Sequence, residues 1–225
     1  MIGAVTIQSQ INGLVGYLVE VGLASDQNLA FIRRSGGKQS EVTFPQAEQA
    51  TVSLKDISYS EIYDHLLQER AFTAKLPDGA LLLMRYLFVK DRLSRHSLAF
   101  FPSPHLEEFH NNPEIYLEDQ LYAEVIARNI VPFPVRFDFD SRTAVHKPVV
   151  HPMSHLTLGQ YENCRIPVTA PLTPYWFVAF VLRNFYHTAF TCYAQDLPLF
   201  DNDFEETIDP TERSVIHVQV PLRRG

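Results

Sequence analysis

Two short turns divide residues 71–101 into three strand-like segments, and this pattern constrains the fold more than any other feature of the chain. The segments are residues 71–76, 80–89 and 92–101. The Pro-Asp-Gly at 77–79 predicts a tight reversal after the first segment, and Lys90 with Asp91 predicts another after the second. Three strands joined this closely form an antiparallel meander. A meander favours an α+β fold over a doubly wound parallel sheet.

Four further segments carry the signs of helices. Residues 5–23 repeat apolar side chains at three- and four-residue steps, and residues 173–185 begin with Thr-Pro and are rich in aromatic side chains. Ser58 followed by Glu61 is a capping-box pattern, which predicts a helix start. The other expected elements are a helix at 112–128 and strands at 29–34, 41–44 and 214–220. The pattern as a whole predicts a single α+β domain over residues 1–225, in which a meander-rich antiparallel sheet packs with about four helices.

The composition fits a protein with a dense core. Of the 225 residues, 46% are hydrophobic and 12% are aromatic, which is enough apolar surface for one large core. The two cysteines, Cys164 and Cys192, have a spacing that predicts neither a disulfide framework nor a zinc cage. The first residues lack the basic region and continuous apolar core of a signal peptide, and the longest apolar run, 175–182, is too short to span a membrane. We therefore expect a cytoplasmic protein with no membrane partner.

The net charge of −7 excludes a uniformly basic coat for nucleic acid. Binding to nucleic acid would require a local cluster of cations. One candidate cluster surrounds the second predicted turn and consists of Arg85, Lys90, Arg92, Arg95 and His96. The alternative is a solvated hairpin tip, because charged side chains are ordinary on protein surfaces.

Residues 134–167 predict a sheet face that is rich in polar side chains. Because side chains alternate along a strand, the charged residues of Arg-Phe-Asp-Phe-Asp at 136–140 share one face and the aromatic residues share the other. The same alternation separates Leu156 and Leu158 from their polar neighbours. If the three strands of this region are neighbours, one face gathers Arg136, Asp138, Asp140, His155, Thr157 and Arg165, with His151 just before the second strand.

These residue types suit phosphoryl chemistry. Carboxylates and imidazoles can hold a divalent cation, and a histidine can act as general base while an arginine stabilises phosphoryl charge. The candidate catalytic residues are Asp138, Asp140, His151 and His155. The candidate substrate-binding residues are Arg136 and Arg165. The candidate ligands for a divalent metal such as Mg²⁺ or Mn²⁺ are Asp138 and His155. The alternative is a solvated sheet face with structural histidines, since antiparallel sheets commonly expose one polar face.

No catalytic motif narrows this choice. The chain lacks H-E-x-x-H, a Walker loop, G-x-S-x-G and the glycine motif of dinucleotide-binding folds. Cys164 beside Arg165 is a candidate thiolate nucleophile, because a neighbouring cation favours the thiolate. Strand alternation argues against this role, because it predicts that Cys164 points to the core.

Three stretches of the chain resemble one bacterial family. They are RFDFD at 136–140, HPMSHLTLGQYENCRIPV at 151–168 and TPYWFVAFVLRNFY at 173–186. They are similar to the family named domain of unknown function 2290. The resemblance implies a place in anti-phage defence beside a DNA helicase of the repair type, which would be the partner of this chain. It implies no catalytic residues.

Three functions fit the sequence. A nuclease effector that cuts nucleic acid unwound by the helicase predicts carboxylates and histidines that converge in a cleft near positive charge. A non-enzymatic adaptor, which binds the helicase or senses a phage product, predicts an exposed aromatic surface of several hundred Å² instead. An enzyme that acts on a small metabolite or nucleotide predicts an enclosed pocket beside the polar face.

Overall fold

A computed structural model describes residues 2–36, 38–54, 57–105, 132–161, 163–200 and 203–221. Its strands are β1 (Asp26–Gln27), β2 (Phe31–Ser35), β3 (Gln39–Thr43), β4 (Ala74–Lys75), β5 (Leu81–Val89), β6 (Arg92–Phe101), β7 (Val135–Asp140), β8 (Ser154–Leu158) and β9 (Ile166–Pro167). Its helices are α1 (Ala4–Glu20), α2 (Tyr59–Gln68), α3 (Pro174–Phe185), α4 (His187–Tyr193) and α5 (Pro210–Arg213), with 3₁₀ helices at Ala47–Leu54 and Ala194–Asp196. The strands form one antiparallel sheet in the order β1-β4-β5-β6-β7-β8-β9, and the β2–β3 hairpin joins it through β3 and β5.

The predicted meander is confirmed and forms the centre of the sheet. Strand β5 pairs with β4 at its start and with β6 along its whole length. Lys90 and Asp91, which join β5 to β6, have φ angles of 51° and 62°. Positive φ at both central residues is the backbone of the type I′ turn, whose twist matches that of the flanking strands. The predicted α+β class with an antiparallel sheet is therefore confirmed.

One face of the sheet is apolar and packs against α1 and α3. Alternate residues of β5, including Leu82, Met84 and Tyr86, belong to one buried cluster with Phe137 of β7. Helix α1 adds the stripe Ile7, Ile11, Leu14, Val15 and Leu18, and α3 adds Phe177, Val178, Val181 and Leu182. Because strand residues alternate, the intervening side chains of the same strands point to the opposite face.

That opposite face is divided into an apolar half and a polar half. In the apolar half, Leu81, Leu83 and Phe101 pack with Ile62 and Leu66 of α2 in a second buried cluster. In the polar half, charged and hydroxyl side chains of β5 to β8 line a groove. The strand alternation that builds the core therefore also presents a polar surface on its reverse side.

Two predicted helix starts are confirmed by their caps. The Ser58 side chain accepts a hydrogen bond from the Glu61 backbone N–H, and the Glu61 carboxylate accepts one from the Ser58 N–H at the start of α2. Thr173 caps α3 in the same manner through the N–H of Trp176. Helix α1 ends at Glu20, earlier than predicted. Among the described residues, no helix is both long enough and apolar enough to cross a membrane.

The predicted strand at 214–220 is wrong. Asp209 and Glu212 form a capping box that starts the short helix α5, and the chain after it makes a single bridge, between Val218 and Val168. The ladder stops there because the N–H of Val220 donates to the Thr169 hydroxyl instead of a backbone carbonyl. The helix predicted at 112–128 lies outside the described residues.

The turn at 77–79 is tied to both faces of the sheet. The hydroxyl of Tyr186, which belongs to the larger cluster, donates to the Asp78 carboxylate at 2.6 Å. The hydroxyl of Tyr63, which belongs to the cluster under α2, donates to the Gly79 carbonyl at 2.6 Å. Asp78 is fully buried, and burial raises its pKa although the Tyr186 hydroxyl acts in the opposite direction. Gly79 has a φ of +89°, which side chains rarely tolerate.

Replacing Gly79 with alanine should destabilise the protein by about 1–3 kcal/mol. The new Cβ would lie 3.0 Å from the Ser103 Cβ and 3.1 Å from the Tyr63 hydroxyl, in addition to the unfavourable φ. Gly16→Ala is the matched control, because Gly16 is exposed in α1 with no atom within 4 Å of the added Cβ. The control should gain about 0.5–1 kcal/mol. Chemical unfolding curves measure both changes, and an unchanged stability in Gly79→Ala would contradict this account of the turn.

His96 of β6 is buried on the apolar face. Its ring lies between those of Tyr86 and Phe139, with centroids 5.5 and 5.9 Å away, and its Nε2 accepts the Leu172 N–H at 3.1 Å. Burial lowers the pKa of His96 to about 4. The basic cluster predicted around the β5–β6 turn therefore does not include this residue, because strand alternation points its side chain to the core.

We expect the free energy of unfolding to fall as the pH drops from about 6.5, the pKa of an unfolded histidine, to about 4, the pKa of folded His96. In that window the unfolded chain takes up a proton at this residue and the folded chain does not. The accumulated loss is about 3 kcal/mol. His96→Gln keeps an acceptor for the Leu172 N–H and should lose most of this dependence. Urea unfolding across the same window measures it, and equal acid losses in both proteins would refute the assignment.

Candidate functional site

The polar half of the second sheet face forms the floor of a groove of about 1040 Å³. The strands expected within 134–167 are neighbours, since β7 pairs with β8 and β8 pairs with β9. The residues predicted from strand alternation all line this groove: Arg136, Asp138, Asp140, His155, Thr157 and Arg165. His151, predicted just before the second of these strands, lines it as well. The structure thus brings these side chains to one place, and their chemical roles remain predictions.

A row of three polar residues crosses the floor of the groove. Asp138 of β7 lies opposite Ser97 of β6 on one side and opposite His155 of β8 on the other. The Ser97 hydroxyl donates to the Asp138 carboxylate at 2.8 Å. Side chains directly opposite each other in antiparallel strands have Cβ atoms about 4.5–5.5 Å apart. The carboxylate is therefore fixed on one side by Ser97 and lies beside the His155 ring on the other.

The geometry of His155 leaves one ring nitrogen for chemistry. Its Nδ1 donates to the Pro152 carbonyl at 3.0 Å, so in the neutral ring Nε2 carries the lone pair. His155 is buried, and burial lowers the pKa of its ring. The Asp138 carboxylate and the hydrogen bond to the Pro152 carbonyl act in the opposite direction, but burial has the larger effect. A neutral imidazole with a free Nε2, on the strand position opposite a carboxylate, can accept a proton or bind a metal.

His151 is held beside His155 by a strained turn. The two rings meet edge to face with centroids 5.3 Å apart. His151 and Lys147 exchange two backbone hydrogen bonds, of 2.7 and 3.1 Å, that close a tight loop. Within this loop Val149 has a φ of +66°, which is unfavourable for a β-branched residue. Strain of this kind persists where the surrounding structure fixes the backbone. In this loop the fixed backbone also sets the position of His151.

Asp140 is engaged in an ion pair. Both of its carboxylate oxygens accept hydrogen bonds from the Arg142 guanidinium, at 2.6–3.0 Å. Burial acts to raise the pKa of Asp140, but the hydrogen bonds from Arg142 outweigh it and hold the pKa below the ordinary value. Asp140 therefore reaches the groove as one half of a salt bridge, while Asp138 makes only a looser contact with Arg136, at 3.6 Å.

The arginines of the groove differ in how firmly they are paired. Arg85 donates to Glu41 at 2.7 Å and to the Ala47 carbonyl at 3.2 Å. Burial acts to raise the pKa of Glu41, but its hydrogen bonds from Arg33 and Arg85 outweigh that effect and lower it. Within the described ranges, no carboxylate lies within salt-bridge distance of Arg95 or Arg165. The guanidinium groups of Arg95 and Arg165, with that of loosely paired Arg136, are therefore the cations available to an anionic ligand.

The predicted metal ligands do not come together as a closed site. Asp138 and His155 face each other across two strands, but the described residues contain no group of three His, Cys, Asp or Glu side chains placed to hold a metal ion. A divalent ion at this pair would have to complete its coordination with water or ligand oxygens, as Mg²⁺ commonly does.

Sequence reasoning missed several residues of the groove. The alternation along β6 places Arg95 and Ser97 on this face, but only the register with β7 sets Ser97 opposite Asp138. Cys164 was predicted to point to the core and instead lines the groove. The alternation rule failed there because the residues before Ile166 lie outside strand β9. Tyr161, which also lines the groove and is 76% exposed, had no signal in the strand pattern because it follows β8.

Comparison with known proteins gives a family and no described activity. No curated protein and no solved structure matches this chain. A family model described as "Uncharacterized conserved protein (DUF2290)" matches residues 23–220, a span that contains every groove residue discussed above and all nine strands. This match covers far more than half of the sequence and agrees with the resemblance seen in its motifs. The chain therefore belongs to the DUF2290 family of uncharacterized conserved proteins.

Proposed function

We propose that the groove binds the phosphate backbone of nucleic acid and that Asp138 and His155 cleave a phosphodiester bond there. The observation that carries this proposal is the free Nε2 of His155, on the strand position opposite Asp138, in a groove lined by arginines. A general base next to cations that stabilise phosphoryl charge is the arrangement that such a reaction needs.

The local charge supports a polyanionic ligand. The chain as a whole carries −7, yet the groove is lined by four arginines and three carboxylates, so it is net positive before any protonated histidine is counted. The arginines are Arg85, Arg95, Arg136 and Arg165, and the carboxylates are Glu41, Asp138 and Asp140. A concave surface of opposite sign to the rest of the protein attracts polyanions locally.

The chemistry follows from the positions of these groups. His155 Nε2 takes a proton from water as the water oxygen bonds to phosphorus, and the bond from phosphorus to the leaving oxygen breaks. Asp138 stabilises the imidazolium that forms, and the Arg136 and Arg165 guanidiniums stabilise the charge on phosphate. His151, adjacent to His155, supplies a proton to the leaving oxygen. In the alternative metal-assisted form, Asp138 and His155 would hold Mg²⁺ or Mn²⁺, and the ion would supply activation of the attacking water.

The family resemblance supplies the setting that we propose for this activity. It implies a DNA helicase partner in bacterial anti-phage defence, and a nucleic-acid groove fits an effector that acts on the strands a helicase handles. The non-enzymatic adaptor is favoured less, because charged and hydroxyl side chains converge in one groove, which is what the nuclease hypothesis expects.

We expect purified protein to cleave labelled DNA or RNA and His155→Ala to lower the rate about 100-fold or more, the usual effect of removing a general acid or base. Asp138→Asn keeps the Ser97 hydrogen bond and should also lower the rate strongly. His105→Ala is the matched control, because His105 is partly exposed and pairs with Asp64 outside the groove. Circular dichroism checks that each variant is folded.

Parallel assays with Mg²⁺, Mn²⁺ or a chelator separate the two forms of the mechanism. Cleavage that persists in chelator supports His155 as general base, and cleavage restored only by metal supports the ligand role. Absence of cleavage by the protein alone and with the helicase would contradict the nuclease proposal and favour the adaptor.

Arg165→Ala should weaken nucleic-acid binding and reduce the slope of log affinity against log salt concentration by about 1, since one phosphate contact is lost. Arg183→Ala is the control, because Arg183 is exposed on α3, which packs on the opposite face of the sheet. Fluorescence anisotropy over a salt series measures both slopes. An equal slope for Arg165→Ala and the native protein would show that Arg165 does not contact phosphate.

A further inference from the structure

An aromatic ring stands exposed at one end of the groove. Tyr161 follows β8 in the loop that leads to β9, lines the groove, and has 76% of its surface exposed. Large aromatic side chains are usually at least partly covered, because their rings bury extensive apolar surface. An exposed ring that borders a basic groove is therefore positioned to meet a ligand.

The backbone that carries this ring is held in place. The Gly159 N–H donates to the Pro134 carbonyl at 2.7 Å, and the Gln160 side chain donates to the Ile57 carbonyl at 3.0 Å. Gly159 has a φ of +64°, and a Cβ added there would lie 3.4 Å from the Tyr161 ring. The ring thus lies beside the Gly159 position of this anchored loop.

The lining of the groove includes more apolar side chains toward the Tyr161 ring. At the Tyr161 end its lining includes the apolar side chains of Leu83, Ala99 and Pro134, while Arg95 and Asp140 line the opposite end. Ala99 pairs with Arg136, and Arg95 pairs with Asp140, so the two ends lie four residues apart along β6 and β7. The Tyr161 end therefore offers apolar surface for the flat face of a base beside the Arg136 guanidinium for its phosphate.

We propose that Tyr161 is a base-stacking platform and that the groove accepts a single strand of nucleic acid rather than a duplex. This inference rests on the proposed function and adds the substrate class to it. In a duplex the faces of the bases are stacked on each other and only their edges are accessible, whereas a single strand offers a free face. Stacking on an aromatic side chain is tolerant of sequence, so the groove should distinguish strandedness more than sequence.

The test compares the binding of four labelled probes of equal length by fluorescence anisotropy: oligo-dT, oligo-rU, an abasic strand with the same phosphates, and duplex DNA. The native protein should bind dT or rU more tightly than the abasic strand and the duplex. Tyr161→Ala should weaken binding to base-bearing single strands about 5- to 100-fold and leave the abasic affinity unchanged. Tyr161→Phe should bind as the native protein does.

Phe31→Ala provides the matched control, because Phe31 is a partly exposed aromatic residue on β2 outside the groove. Its affinity for every probe should equal that of the native protein.

Three results would overturn the proposal in distinguishable ways. If the abasic strand or the duplex binds as tightly as dT and rU, the phosphate-binding groove stands and the stacking platform is rejected. If no probe binds, the proposed function and the stacking platform both fail. A loss in Tyr161→Ala that is equal for all four probes would likewise reject stacking, because the abasic strand has no base to stack.

Discussion

The antiparallel register among β6, β7 and β8 is the constraint on which both the core and the groove depend. It sets Ser97, Asp138 and His155 side by side on one face while Leu98, Phe137 and Leu156 meet on the other. Because the side-chain period of a strand is two, a slip by one residue would turn charged side chains into the core and phenyl rings into the groove. The hydrophobic free energy of the core therefore also fixes the register of the polar row, and the hydrogen bond from Ser97 then holds the Asp138 carboxylate within it.

Much of this arrangement could be predicted from the chain itself. Alternation in 136–140 and 154–158 placed Asp138 and His155 on one face, and the turns at 77–79 and at Lys90 predicted the meander that was found. Alternation describes only residues within a strand, however. It failed at Cys164, which precedes β9, and it gave no information on Tyr161, which follows β8.

Other features required the pairing of distant segments. That Ser97 is hydrogen-bonded to Asp138 depends on register across 41 residues of sequence, and no local pattern encodes it. The strand predicted at 214–220 shows the opposite error. Its apolar residues are a local signal for a strand, but hydrogen bonds to distant residues prevent a regular ladder from forming. One of those bonds joins Val220 to the Thr169 side chain across 51 residues.

The turn at 77–79 has a consequence for how the molecule unfolds. Tyr63 reaches it from the cluster under α2, and Tyr186 reaches it from the cluster under α1 and α3. If the layer under α2 were lost, the Gly79 carbonyl would lose the Tyr63 hydroxyl as its donor. If the other layer were lost, the Asp78 carboxylate would lose the Tyr186 hydroxyl. An acceptor left without its donor is costly inside a protein. The two layers on opposite sides of the sheet are thereby coupled, so amide protons in both should exchange with solvent through one shared cooperative opening rather than through separate ones.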